Sequence, residues 1–270
     1  MATPGARGWP SCILALVECR CGAAGEGGEP GVIEWRFGGG WTEAELERRL
    51  ERLKRFGPNF SETWDEMVPE RGWNHYRSEA VVAREPPGEP LADGAFQRAR
   101  IAIENYEFSD PSIVEAHFDP RDPLEGRHVL IEIKVLGLHY LCGVMVTVVR
   151  EEPADGGTVF GFRYDTLGNH IEQGAEWFLL RKEHATGEIR FRVDARWRPG
   201  QFPNWWSRVG FWLLSPRYHR IWHHTAQRRI AFLARQGPLA VPIPPRGRLV
   251  HEGPDVMYRT VLGARRRRLR

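Results

Sequence analysis

A histidine and a glutamate six positions apart, His170 and Glu176, lie within the densest mixture of aromatic and ionisable residues in the chain, Gly161 to Phe178. An imidazole titrates near neutrality and serves as a general base or a polar anchor. A carboxylate drawn into apolar surroundings must be protonated, paired or hydrogen-bonded, because leaving it charged and alone is costly. Strand alternation puts Glu176 on the face of Phe178 and Leu180, so burial of that face takes the carboxylate inside. Two readings stand open for Glu176. It contacts a ligand, or it accepts backbone N–H groups of the Asp165–His170 turn while Trp177 and Leu179 form the buried face. Tyr164 and Thr166 share parity with Phe162 and add hydroxyls to an apolar wall, the composition of a small-molecule pocket. Plain core packing accounts for Phe162 equally well.

Other chemistries find no support in the residue pattern. No serine stands in a Gly-x-Ser-x-Gly turn, and no glycine loop precedes a phosphate-binding helix. The adjacent His223 and His224 diverge on a helix and do not share a metal. Cys19 and Cys21 share a face of an extended segment, yet no second ligand pair follows, so no metal and no cofactor are expected. The four cysteines, Cys12, Cys19, Cys21 and Cys142, suit free thiols in a reducing, cytoplasmic setting.

The 270 residues are 41% hydrophobic and 11% aromatic, enough to build a sizeable core. The net charge is +3, and five positives fall in Arg265, Arg266, Arg267, Arg268 and Arg270, so the rest is slightly acidic. That body lacks the basic footprint of a nucleic-acid binder. Ile13 to Val17 is too short for a signal peptide, and Val135 to Val149 falls short of the roughly 18 residues that cross a bilayer. A soluble, cytoplasmic protein is expected.

Positioning of the candidate residues falls to elements with clear periodicity. Residues 11–21 and 31–37 read as strands of a loose hairpin around the Gly22 to Gly31 loop. Thr42 and Glu45 form a capping-box pattern opening a helix that carries Leu46, Leu50 and Leu53. A strand over His75 to Ala83, a loop over Glu85 to Pro90 and a helix from about Asp93 to Glu107 follow, the last with Phe96, Ala99, Ile103 and Tyr106 as its stripe. The period then becomes 2. Strands are predicted around Ile131 to Val135 and over Gly143 to Val149, Val159 to Thr166, Gly174 to Lys182 and Glu188 to Trp197, linked as an antiparallel meander. The Trp-rich segment Asn204 to Leu214 precedes a last helix capped by Ser215 with Pro216 in its first turn, striped by Tyr218, Ile221, Trp222, Ala226, Ile230 and Leu233.

Gly161-Phe162-x-Tyr164-x-Thr166-Leu167-x-x-His170, followed by Gly174-x-Glu176-x-Phe178, resembles the signature of the uncharacterised family known as domain of unknown function 1990. Asn59-Phe60-Ser61, Phe96-x-x-Ala99, Arg198-Pro199 and Gln227 agree with it, so the likeness spans roughly residues 56–236. The chain departs at Asp165, Ala175 and Trp197, where the family tends to carry glycine, glutamate and serine. The resemblance implies a helix-grip fold of the START and Bet v 1 type, which holds lipids, steroids or polyketides between sheet and helix.

The expected protein is therefore α+β. A curved antiparallel sheet grips a long C-terminal helix over residues 56–236, with an N-terminal strand-strand-helix extension over 1–55 and a Pro-rich, basic tail over 237–270. The expected partner is a hydrophobic, lipid-like small molecule in a cavity walled by Phe162, Tyr164, Thr166, His170, Glu176, Phe178 and Trp222. Two alternatives remain. One is an acid/base enzyme, cyclase- or hydrolase-like, using His170 and Glu176 in that cavity. The other is a module that docks weakly on a membrane surface or a partner through Phe202 to Trp222, whose aromatics and arginines suit an interface.

Overall fold

Alternation of apolar and polar residues over the second half of the chain produces the sheet that everything else packs on. The computed structural model describes residues 33–237; the strand expected over 11–21, its Gly-rich loop and the basic tail beyond Gly237 lie outside the described residues. The strands are β1 (Glu34–Phe37), β2 (Asn74–Arg84), β3 (Val114–His117), β4 (His128–Val135), β5 (Leu138–Ala154), β6 (Gly157–Thr166), β7 (Glu172–Glu183) and β8 (Glu188–Pro199). The helices are α1 (Glu43–Leu53), α2 (Ala95–Glu104) and α3 (Trp205–Gln236).

A loop over 118–127 joins β3 to β4 and shorter links join β4 through β8 into an antiparallel meander, and β2 closes the other edge by pairing with β8, in the order β2-β8-β7-β6-β5-β4-β3. The four-residue β3 had no period long enough to be read from sequence. β1 pairs with the start of β5, Glu34 opposite Leu141 and Phe37 opposite Leu138, where β6 no longer reaches. It thus joins the main sheet. The sheet curls at its glycines: a Cβ on Gly161 or Gly174 would stand 2.1 Å from Phe178 O or 2.2 Å from Arg196 O, so neighbouring backbones approach closer there than any side chain allows.

Parity separates the two faces. Val129 and Ile131 of β4 join the main core with α2 and α3 on the concave side, whereas Leu130 turns to the convex side and meets Leu46, Leu50 and Leu53 of α1. The Thr42 capping box forms as the sequence indicates, with the Thr42 N–H donating to Glu45 Oε2 at 2.8 Å. Helix α2 is held by Glu85, which accepts from Phe96 N at 2.8 Å and from the fully buried Lys182 Nζ at 2.8 Å.

Helix α3 differs from expectation at its start. Ser215 and Pro216 carry N-terminal signals, yet the helix begins at Trp205, and the Asn204 Oδ1 cap accepts from Ser207 N at 2.8 Å. Pro216 is interior. The inward stripe already runs through Ser207, Phe211 and Ser215, so tertiary packing extends the helix ten residues upstream of its local start signal. Packing there outweighs the roughly 3 kcal/mol that an interior proline costs. The C-terminal half lays Trp222, Ala226, Ile230 and Leu233 into the main core beside α2. This is the helix-grip architecture: a curled antiparallel sheet closed by a long C-terminal helix.

Candidate functional site

Where the N-terminal half of α3 crosses the sheet, the two do not meet completely, and a cavity of about 220 Å³ remains between them. Ile131 and Ile133 of β4, Leu138 and Tyr140 of β5, Tyr164 of β6 and Glu172 and Glu176 of β7 form its sheet side. Trp206, Phe211, Leu214, Tyr218, His219 and Trp222 form its helix side. The wall is mainly apolar, with a few converging polar groups, the composition that small-molecule sites share.

The β6–β7 hairpin sets the polar end. Tyr164 stands directly opposite Glu176, and the Tyr164 hydroxyl donates to Glu176 Oε2 at 2.5 Å. The other oxygen, Oε1, lies 3.4 Å from the His223 Nε2 without a hydrogen bond, and His223 Nδ1 contacts Ser78 Oγ at 2.8 Å. Burial, followed by the charge of Glu176, pushes the Tyr164 hydroxyl well above its ordinary value, so it stays protonated and donates. Glu176 faces inward and does not cap the turn before His170, which excludes the turn-fixing reading of this residue. Leu179 on the opposite face is buried as well.

His170 lies in the hairpin turn, its N–H donating to Leu167 O and its Nδ1 accepting from Glu172 N at 2.9 Å. That bond leaves the proton of the neutral ring on Nε2. Burial drives its pKa down to about 4, against the opposing pull of Glu172. At neutral pH it is therefore an uncharged anchor and a weak base. Glu172 was not singled out from the sequence, although it shares the parity of Glu176. Its Oε1 accepts from His219 Nε2 at 2.9 Å, and His219 stacks on Trp197 at 4.7 Å. Burial opposes charge on both partners, yet their mutual attraction prevails: Glu172 is lowered and His219 raised from their ordinary values.

Trp222 lines the cavity with its indole N–H fixed on Ser109 Oγ at 3.0 Å. Of the seven expected wall residues, Tyr164, His170, Glu176 and Trp222 line the cavity, and Phe162, Thr166 and Phe178 do not. Phe162 and Phe178 face one another across the hairpin and fill the core below, with ring centroids 5.2 Å apart. Thr166 is structural. Its hydroxyl donates to Asn59 Oδ1 at 2.6 Å and accepts from Gly174 N at 2.8 Å. Tyr106, Tyr140 and Tyr218 come to the wall from elements that carried no site signal of their own. The Tyr218 hydroxyl faces Ile113 O at 2.7 Å and Lys134 O at 2.8 Å, tying α3 to β4 and to the residue just before β3.

The cavity mouth is framed by exposed apolar residues. Leu136 is 82% exposed at the β4–β5 turn, where Leu136 and Gly137 both have positive φ, as a two-residue hairpin requires. Trp206 meets Trp35 edge to face at 5.1 Å, and Trp205 and Trp212 are 75% and 76% exposed. A separate polar cluster on the convex face brings Glu115, His117 and Glu132 within metal-ligating reach of one another. Lys134 Nζ already stands 2.6 Å from Glu115 and 3.7 Å from Glu132, so a cation of the chain itself occupies that role. Cys142 is a buried free thiol pushed up to about 12 by desolvation. Among the described residues no helix is long and apolar enough to cross a membrane.

A sequence profile described as Domain of unknown function (DUF1990) matches residues 58–231. No curated protein matches the chain in sequence. Among solved structures the chain is similar to a hypothetical protein from Helicobacter pylori, with a TM-score of 0.40 and 11% identity over 66% of this chain and 98% of that one. It is also similar to Ara h 8.0201, at a TM-score of 0.35 and 9% identity over 62% of this chain and 100% of that one. Human STARD10 matches at a TM-score of 0.30 and 10% identity over 74% of this chain and 82% of that one.

Proposed function

For a chain that belongs to the DUF1990 family, we propose that the protein binds a hydrophobic small molecule in the cavity between sheet and α3. The single observation that carries this reading is the cavity itself: about 220 Å³ of space walled by apolar and aromatic side chains and ending in buried polar groups. The acid/base enzyme reading is weaker on the geometry. His170, with its pKa near 4 and Nδ1 occupied by a backbone N–H, is a poor proton acceptor at neutral pH. A cytoplasmic location goes with the reading, in keeping with the buried thiol of Cys142.

Native mass spectrometry after gentle purification tests it. The expected outcome is a retained small molecule released on denaturation. An empty protein that also takes up no apolar probe, with Trp206 and Trp222 fluorescence unchanged on titration, removes the reading.

A second reading is favoured by the mouth. Trp205, Trp212 and Leu213 project from α3 with Arg208, Arg217 and Arg220, all exposed, and the cavity-lining Leu136 is exposed too, with the exposed Phe37 close to Gly137. Aromatic and aliphatic groups next to arginines suit an anionic lipid surface, from which an apolar ligand would be exchanged. Flotation with liposomes containing phosphatidylserine is expected to fall on replacing Trp205 and Trp212 together by serine. Flotation unaffected by that pair excludes this surface.

A further inference from the structure

The cavity wall has a charge character that the binding reading leaves open, and the inference that follows rests on that reading. Among the described residues no lysine or arginine lines the cavity, while Glu172 and Glu176 stand four residues apart on the inward face of β7. Glu172 is matched by His219 at 2.9 Å. His170 is kept neutral by burial. Glu176 is different. It is 8% exposed, its one hydrogen bond comes from the Tyr164 hydroxyl, and its nearest cationic candidate, His223, stands at 3.4 Å without a hydrogen bond. Around these carboxylates the wall presents the rings of Tyr106, Tyr140, Tyr164, Tyr218, Trp206 and Trp222.

Carboxylate and ring faces together complement an ammonium group, since both present negative potential to a cation that has left water. An anionic head group meets the opposite. It loses its hydration, finds no unpaired cation and faces a carboxylate in a medium of low dielectric, which is an effective way of rejecting a ligand. We propose that this cavity takes a protonated amine on an apolar skeleton, its ammonium group at Glu176 and its skeleton between the sheet and α3. Fatty acids and phosphate-bearing lipids are excluded by the same wall.

The test is a comparison of decylamine, 1-decanol and decanoate, which share one chain and differ in head-group charge, by calorimetry at neutral pH below their aggregation thresholds. Decylamine is expected to bind at least about tenfold more tightly than decanol, and decanoate at least about tenfold more weakly than decanol. Glu176→Gln is expected to lower decylamine affinity by about tenfold while leaving decanol within about threefold. Decanoate binding as tightly as decylamine, or decylamine and decanol binding alike, overturns the amine assignment and leaves the cavity reading intact. Failure of all three to bind counts against the cavity reading itself, and the amine assignment goes with it. Should Glu176→Gln lose its folded circular dichroism signal, the order of the three ligands on the natural protein alone decides.

Discussion

Tyr164 and Glu176 lie six residues on either side of His170, and Phe162 and Phe178 lie eight, so a hairpin turning at His170 makes cross-strand partners of each pair. Parity along each strand was legible in the sequence, whereas the pairing of Tyr164 with Glu176 came with the register of the hairpin. Nor was depth along the strand legible, which decides that the Tyr164–Glu176 pair reaches the cavity and the two phenylalanines fill solid core. Thr166 shares their parity and serves another purpose. Thr166→Val is expected to cost about 1–3 kcal/mol by leaving Asn59 and the Gly174 N–H unpaired, with ligand affinity unchanged; denaturant unfolding together with probe titration checks both halves. His170 is expected to stay neutral down to about pH 5 and to take its proton near pH 4, which imidazole resonances in an NMR titration report. On the convex face, burial pushes the Glu132 carboxyl up, but bonds from His117 and His139 outweigh it and hold it at about 2, below the ordinary 4.5. A depressed carboxyl contributes stability above its unfolded value, lost as pH falls from about 4.5 towards 2. Glu132→Gln should therefore lower stability near neutrality by roughly 3 kcal/mol and flatten that acid limb in chemical denaturation.

Among the elements, α3 does most for the site and was least legible at its beginning. Ser215-Pro216 is a strong local start signal, and only the sheet beneath shows that the stripe through Ser207 and Phe211 has something to pack on. Propensity is a weak prior when an apolar face finds a partner. Helix α2 illustrates the converse, a short element read well from its stripe but held in place by a bond that sequence does not reveal. Lys182, with no exposure, joins Glu85 at 2.8 Å and Glu89 O at 2.9 Å, and Glu85 in turn accepts from Phe96 N in the first turn of α2. Removing the ammonium strands a buried carboxylate. Lys182→Ala is expected to cost about 3–5 kcal/mol and to speed amide exchange in α2 ahead of β6 and β7, measured by hydrogen exchange. Equal protection of all three would show that the anchor is dispensable.

At the scale of the molecule, an occupied cavity and a stable fold are one equilibrium, since a ligand that binds only the folded state adds about 2.7 kcal/mol at a hundred times its dissociation constant. Extraction of a retained apolar ligand is accordingly expected to lower the melting temperature, and adding back a binding probe to restore it, as calorimetric scans would show. The sequence by itself determined the antiparallel meander, the capped first helix, the family signature around His170 and the parity that Glu176 shares with Phe178 and Leu180, because each follows from the period of neighbouring residues and from turn chemistry within a few positions. The tertiary structure alone decided where the cavity lies, that Tyr106, Tyr140 and Tyr218 reach it, that Glu172 is hydrogen-bonded to His219 while Glu176 Oε1 has no hydrogen bond, and that β1 continues the sheet at β5. Those outcomes depend on distances between residues remote in the chain, and on how far one helix lifts from a curled sheet, quantities that no local pattern encodes.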